Sequence, residues 1–310
     1  DQLVLFSSTS TVTAPAGQVD YVAANEYLNA YAHSRAGGQT KVLAIDWGIW
    51  NEVGMAAKAL ATRLGDAAPA PRQAISSPLL DEATFDPAGH RLFTAQWRNE
   101  ERWILDGHRT ASGQALLPGT GYLELAAQAL RGNGETGPFA VRDLYFFRPL
   151  AVADGAARGV RAKLIRSEEG YGFELRSEAV AKGRSGWQLH AQARVVPIAA
   201  TAKRLDVAAI AARLPAPETG EGLVSPQEAH LRFGPRWRVL RSRATGVGEG
   251  LATLALPAPF RAEAGAWLLH PALMDLATGW AMGLIKGYRP DHLWVPVSYG
   301  LVRVLRPLPG

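Results

Sequence analysis

No cysteine occurs anywhere in the 310 residues. That excludes disulfides, thiol nucleophiles and any zinc site built on thiolates, and it is compatible with a cytoplasmic location. No stretch approaches 18 uninterrupted apolar residues, so no segment qualifies as a membrane-spanning helix. No basic-then-apolar leader opens the chain, which does not begin with methionine. The opening DQLVLFSSTS reads as the inside of a strand followed by its loop, so the expectation is a piece of something larger. Lysine blocks, a basic helix with interleaved aromatics and a zinc finger are missing too. The formal charge of +5, from 33 Lys and Arg against 28 Asp and Glu, is spread over single arginines. This argues against nucleic acid and for an acidic protein partner meeting a diffuse basic surface.

What is present is enough apolar material for a real core: 47% of residues are hydrophobic and 20% charged. LVLF (3–6) reads as a buried strand. Residues 20–36 read as a helix with Tyr21, Ala24, Leu28 and Tyr31 at helical spacing, and KVLAIDWG (41–48) as a second strand. Strand, helix, strand without a hairpin predicts a parallel α/β unit. An Ala/Pro/Ser-rich run without periodicity (65–78) then marks a boundary. The predicted organisation is a first domain over 1–64 and a linker over 65–85. A second domain over 86–310 divides near 86–198 and 223–310, around a further linker at 199–222 with a short helix inside.

The second domain reads as α+β. Strand patterns at 90–97, 139–152, 159–167, 171–180 and 187–197 predict an antiparallel sheet beside a helix beginning at Gly119. A second apolar helix is predicted over 270–285, after strands around 237–247 and 250–257. Two helix-plus-sheet units suggest an internal duplication.

Each unit carries one ionisable residue at its helix. In DGHRTASGQALLPGTGYLEL (106–125), His108 precedes a Gly/Pro turn at Gly113, Pro118 and Gly119. By itself it also reads as an ordinary loop histidine. Asp275 lies in HPALMDLATGWA between Leu273, Met274, Leu276 and Ala277. It is either on a solvated helix face or buried; if buried, it must be paired or neutral, with a pKa raised into the range of a proton donor. Imidazole accepts protons in that range. One base and one acid from two similar halves are what a β-elimination next to a thioester carbonyl requires.

Residues 86–310 resemble the dehydratase domain of polyketide synthases, a double hotdog fold. The matching pieces are GHRTASGQALLPGTGYLELAAQAL, VRDLYFFRPLAV, WQLHAQARV, RFGPRW and HPALMDLATGWA, in that order. The resemblance gives His108 the role of base and Asp275 that of acid. It places Gly113, Pro118, Gly119, Tyr122, Phe233, Gly234 and Pro235 along the substrate, with Gly119 and Gly121 offering backbone N–H groups to the thioester carbonyl. It implies no metal and no soluble cofactor, and a phosphopantetheine arm carried by an acyl carrier protein. Other synthase domains and a second copy in a homodimer are the remaining implied partners; nucleic acid and membrane are not.

Two departures from the family stand out. Four residues separate His108 from Gly113, one more than usual. Gly279 stands four residues after Asp275, where the family usually has Gln or His to orient the acid. Both leave open a double-bond isomerase or pyran-forming cyclase on the same pair. A non-catalytic docking module is a third reading. The family would also supply further strands after LVRVLRPLPG, so the second half is expected to be shortened.

The segment LFSSTSTVTAPAGQVDYVAANEYLNAYA resembles the C-terminal half of a polyketide synthase ketoreductase, a short-chain dehydrogenase relative with a Rossmann-like fold. Ser8 and Tyr21 match its serine and tyrosine, and Asn25, four residues on, matches the asparagine of the polyketide version. DWGIWNEVGM (46–55) resembles the stretch after the next strand. NADPH is implied only for a complete ketoreductase: the chain is read as holding no glycine-rich dinucleotide loop, so the NADPH half and the lysine of the family are expected to be missing. As a fragment it is expected to reduce nothing.

Overall fold

The computed structural model describes residues 1–13, 19–47, 70–181, 183–200 and 204–309. The chain divides into two compact units, Asp1–Pro69 and Ala70–Gly310. In the first, β1 (Gln2–Ser8) is followed by a short helix α1 (Ser10–Thr13), helix α2 (Val19–Ser34) and β2 (Lys41–Trp47). β1 and β2 pair in parallel, Gln2 opposite Lys41 through Ser8 opposite Trp47. This is the predicted strand–helix–strand crossover. Residues 48–55 of DWGIWNEVGM and the start of the predicted linker, 65–69, lie outside the described residues.

The second unit runs β3 (Gln73–Ala74), β4 (Glu82–Phe85), β5 (Arg91–Trp97), α3 (Trp103–Asp106), β6 (His108–Thr110), β7 (Ala115–Leu116), α4 (Gly119–Gly132), β8 (Phe139–Phe146) and β9 (Ala151–Val152). Then come β10 (Arg158–Arg166), β11 (Tyr171–Ala181), β12 (Arg184–Pro197), α5 (Val207–Ala211), β13 (Glu218–Thr219), β14 (Leu231–Phe233), β15 (Leu240–Thr245), β16 (Gly250–Leu254), α6 (Pro271–Gly279) and β17 (Ser298–Val304). Among the described residues, β17-β8-β12-β11-β10-β5-β4-β3 form one sheet, β13-β15-β16 a second and β14-β6-β7-β9 a third. The pairings in this unit are antiparallel, as the short strands and turns predicted. This is the α+β double hotdog.

Strand β10 shows why the large sheet forms. Val160, Ala162 and Leu164 are buried while Arg161 and Lys163 alternate with them at the period of a strand. Helix α4 lies in the core, with every residue from Thr120 to Leu130 buried. Pro118 caps its start in an extended conformation. At its other end, Gly134 (φ 89°) donates to Arg131 O and Glu135 N to Leu130 O, closing the helix in a left-handed turn. Glu124, in mid-helix, is fully buried. Its Oε2 accepts from Leu269 N (2.7 Å) and its Oε1 from Leu268 N (3.2 Å) and from the Gln128 amide. α4 thereby holds the segment that leads into α6.

Three predicted boundaries need correction. The segment 65–85 is not all linker, because β3 and β4 add to the large sheet beside β5. Leu79 and Leu80 are fully buried there, and the Trp97 indole donates to Leu79 O (2.9 Å). The Pro and Ser content hid strands too short to show a period. Within 199–222, α5 is the expected short helix, capped by Asp206 accepting from Ala209 N (2.9 Å), but β13 joins the sheet of β15; residues 201–203 lie outside the described residues. The two halves also exchange strands. β17 pairs with β8 of the first half, and β14 pairs with β6. Finally, the helix predicted over 270–285 ends at Gly279, where a short 3-10 turn (Met282–Leu284) takes over.

Candidate active site

His108 opens β6 rather than standing at a helix end, and it is 7% exposed. β6 is pinned from both sides. Arg109 pairs with Ala115 of β7, and His108 lies opposite Phe233 of β14. Just before it, Gly234 N donates to Gly107 O (2.8 Å). A Cβ on Gly234 would lie 2.9 Å from Gly107 Cα, and one on Gly107 would lie 2.7 Å from Trp237 Cζ3. The two glycines therefore let DGH and FGPRW touch backbone to backbone. The ring of Phe233 stacks on His108 at 5.6 Å.

One contact orients the His108 ring. Nδ1 lies 3.0 Å from Leu116 O. A carbonyl can only accept, so Nδ1 is the donor there and Nε2 is turned the other way. That Nε2 lies 3.8 Å from Asp275 Oδ2. The His–Gly loop turns at the tip between β6 and β7, where Ala111 and Ser112 are exposed and Gly113 adopts φ 91°. The Leu116 contact holds the ring.

Asp275 lies one turn into α6, which starts with Pro271 at its first position. It is 6% exposed, so the buried alternative holds. Trp237 Nε1 donates to Oδ2 (2.9 Å). Burial pushes the Asp275 carboxyl above its ordinary value, while His108, Trp237 and Gln227 pull the other way. The Asp275 carboxyl group and Nε2 of His108, both shielded from water, thus face each other from the two halves.

Phe233, Gly234 and Pro235 build the wall around the pair. Pro235 starts the 3-10 helix (Pro235–Trp237) that delivers Trp237. Gly119 opens α4 against Pro296, Tyr299 and Phe146. Gly121 N is already used, donating to Pro118 O (2.9 Å). The expectation that it offers its N–H to a carbonyl is corrected: the first helical turn consumes it. Tyr122 is buried, and its hydroxyl accepts from Leu150 N (3.0 Å); burial pushes its pKa upward. Gly113 shapes the exposed turn.

Tyr299, on β17, was not singled out from sequence. Its hydroxyl would lie 3.3 Å from a Cβ on Gly119. Its pKa is pushed up to about 12 by burial and then by the Asp275 charge, against a hydrogen bond with Thr278. Trp237 and Gln227 were also missed as partners of the acid. Trp237 stood in plain view in RFGPRW; nothing local marks Gln227.

In the first unit, Ser8 is buried and its hydroxyl lies 2.5 Å from that of Ser10. Tyr21 is 44% exposed. Asn25 is buried and its amide donates to Tyr21 O (2.8 Å), while its own carbonyl accepts from Ser7 Oγ (3.1 Å). One run in the second unit, GNGETG (132–137), spells the letters of a dinucleotide loop. It closes a helix and precedes a strand, the reverse of the order that binds a pyrophosphate.

Comparison with known proteins places the chain in a family. The polyketide synthase dehydratase domain profile matches residues 77–178, the polyketide synthase dehydratase N-terminal domain profile residues 202–310, and the KR domain profile residues 1–52. The spectinabilin polyketide synthase system protein NorA' of Streptomyces orinoci is 31% identical over 214 residues, 67% of this chain and 6% of that protein. The chain thus spans a small part of the curated relatives it matches. The dehydratase domain from the CurF module of curacin polyketide synthase has a TM-score of 0.67 at 23% identity, over 76% of this chain and 86% of that one. An inactive Asp-to-Asn mutant of the CurK dehydratase gives 0.63 at 23% identity, over 73% and 82%. With its histidine and aspartate brought together on a double hotdog, the chain belongs to the polyketide synthase dehydratase family, with a KR-domain segment ahead of it.

Proposed function

We propose that the second unit removes water from a 3-hydroxyacyl chain tethered to an acyl carrier protein, giving an α,β-enoyl thioester. The observation that carries this reading is the pairing itself: with Nδ1 engaged by Leu116 O, His108 turns Nε2 toward Asp275 at 3.8 Å. Nε2 takes the proton from the carbon next to the thioester carbonyl. The electron pair moves to form the C=C bond, and the C–O bond of the 3-hydroxyl breaks as Asp275 protonates the departing oxygen. The pair ends as imidazolium and carboxylate. Return of the proton from Nε2 to Oδ2 restores both for the next chain.

Burial supports the acid role, since a carboxyl held above its ordinary pKa retains its proton to give. The CurK dehydratase is inactive as an Asp-to-Asn mutant and as a His-to-Phe mutant. The tethered arm would raise the local substrate concentration, so weak intrinsic affinity suffices. The carrier supplies the phosphopantetheine, and the other domains of the synthase and a second copy of this chain are the further partners in this reading. In this reading the dehydration itself uses no NADPH, which the resemblance of Ser8, Tyr21 and Asn25 implies only for a complete ketoreductase.

The experiment is mass spectrometry of a carrier-bound 3-hydroxyacyl chain incubated with the protein, His108→Phe or Asp275→Asn. Loss of one water with the wild type alone is expected. A folded wild type that leaves the chain unchanged would refute the reading.

A further inference from the structure

Asp275 has no side chain to lean on one turn later, because position 279 is glycine. Yet the space is filled. A Cβ on Gly279 would overlap the Gln227 amide, with its Cδ at 2.5 Å and its Nε2 at 3.0 Å. Gln227 is 8% exposed and arrives from outside the helix, on the 3-10 turn Pro226–Ala229. Ser225 lies beside it. The Ser225 hydroxyl is 3.1 Å from Gln227 Oε1 and 3.5 Å from Gly279 O; with Oε1 accepting from it, the donor end, Nε2, is left for the Asp275 carboxylate. Ser225 is anchored in turn. Its N–H donates to Glu228 Oε1 (3.2 Å), and Glu228 Oε2 accepts from Arg238 Nη1 (2.6 Å).

We propose that Gln227 is a positioning residue for Asp275, and that Gly279 is side-chain-free so that this amide can enter. The inference rests on Asp275 being the acid of the reaction above. Gln227 and Trp237 then hold the carboxyl from two directions, which fixes both its place and its direction toward His108. A side chain on α6 one turn after the acid would reach the same atoms; here the amide comes through space from another element.

The test uses the full chain with a carrier-bound 3-hydroxyacyl substrate. Gln227→Met keeps the volume and removes the amide. It is expected to lower kcat about tenfold with KM nearly unchanged. Losing a donor to the carboxylate also raises the pKa of Asp275, so the alkaline limb of the kcat–pH profile moves up by about half a unit to one unit. Two double variants separate chemistry from packing. Q227A/G279Q returns an amide from the helix side and is expected to recover kcat and the pH limb, whereas Q227A/G279L fills the same space without a donor and is not. Wild-type kcat and profile in Gln227→Met, or equal rescue by leucine, would overturn the proposal. If the wild type dehydrates nothing, the functional reading fails separately. Carbon NMR titration of the Asp275 carboxyl then decides positioning: a shift in Gln227→Met supports it, and an unchanged titration refutes it.

Discussion

Glu124→Gln gives the sharpest test of how the two helices are tied together. Glu124 is fully buried, and burial pushes its carboxyl up to about 7 from 4.5 despite donors from Gln128, Leu269 and Leu268. A carboxyl with a raised native pKa binds its proton more tightly folded than unfolded. Its contribution to stability is therefore greatest below about 4.5, falls as the pH rises between the two values, and is constant above about 7. A shift from 4.5 to about 7 corresponds to about 3 kcal/mol. Glutamine never ionises, so the variant lacks this slope, but it offers one oxygen where the carboxyl group offers two. Near pH 5 the variant should be less stable than wild type by about 1–3 kcal/mol, the cost of a backbone N–H left without its acceptor. Between pH 5 and 8 the difference should move in the variant's favour by about 3 kcal/mol. Urea unfolding of both proteins across that range, followed by tryptophan fluorescence, reads it directly. A difference that stays constant with pH would show that Glu124 does not titrate there.

Trp237→Phe keeps an aromatic ring beside Phe233 and Trp103 but removes the donor to Asp275. Its expected effect is an upward move of the alkaline kcat limb by about one unit and about a tenfold lower kcat; an unmoved limb would deny the hydrogen bond a role. Gly107→Ala would place a methyl 2.7 Å from Trp237 Cζ3 and 2.9 Å from Trp103 O. It should cost about 1–3 kcal/mol in urea unfolding and lower activity by displacing Trp237; wild-type values in both would mean the glycine contact is dispensable.

Residues carrying chemistry next to Gly and Pro were easy to find in the sequence. His108 and Asp275 each stand in a stretch whose turn and helix signals are strong, and strands such as β10 announce themselves by alternation. What could not be read was through-space. The oxygen that orients the His108 ring belongs to the backbone of Leu116, which any residue could supply. Gln227 lies on a turn with no periodic signal, and its meaning appears only once Gly279 is seen beside it. Likewise, β4 is too short for a pattern, and nothing in SYGLVRV tells that it will pair with β8 rather than with its neighbours in sequence.

That last pairing has a consequence for how the protein is made. The groups around the carboxyl come from positions 108, 227, 237, 275 and 299, and Tyr299 arrives only when β17 closes against β8. Contacts so far apart in the chain form late and slowly. At about 5–20 residues per second on the ribosome, Asp275 emerges roughly ten to thirty seconds after His108. Through that interval the first half must keep its apolar helix covered without its partner, and His108 stands without Asp275. Until β17 closes, the edge of β8 that it covers stays exposed, so a ribosome that stalls before it leaves an open sheet edge.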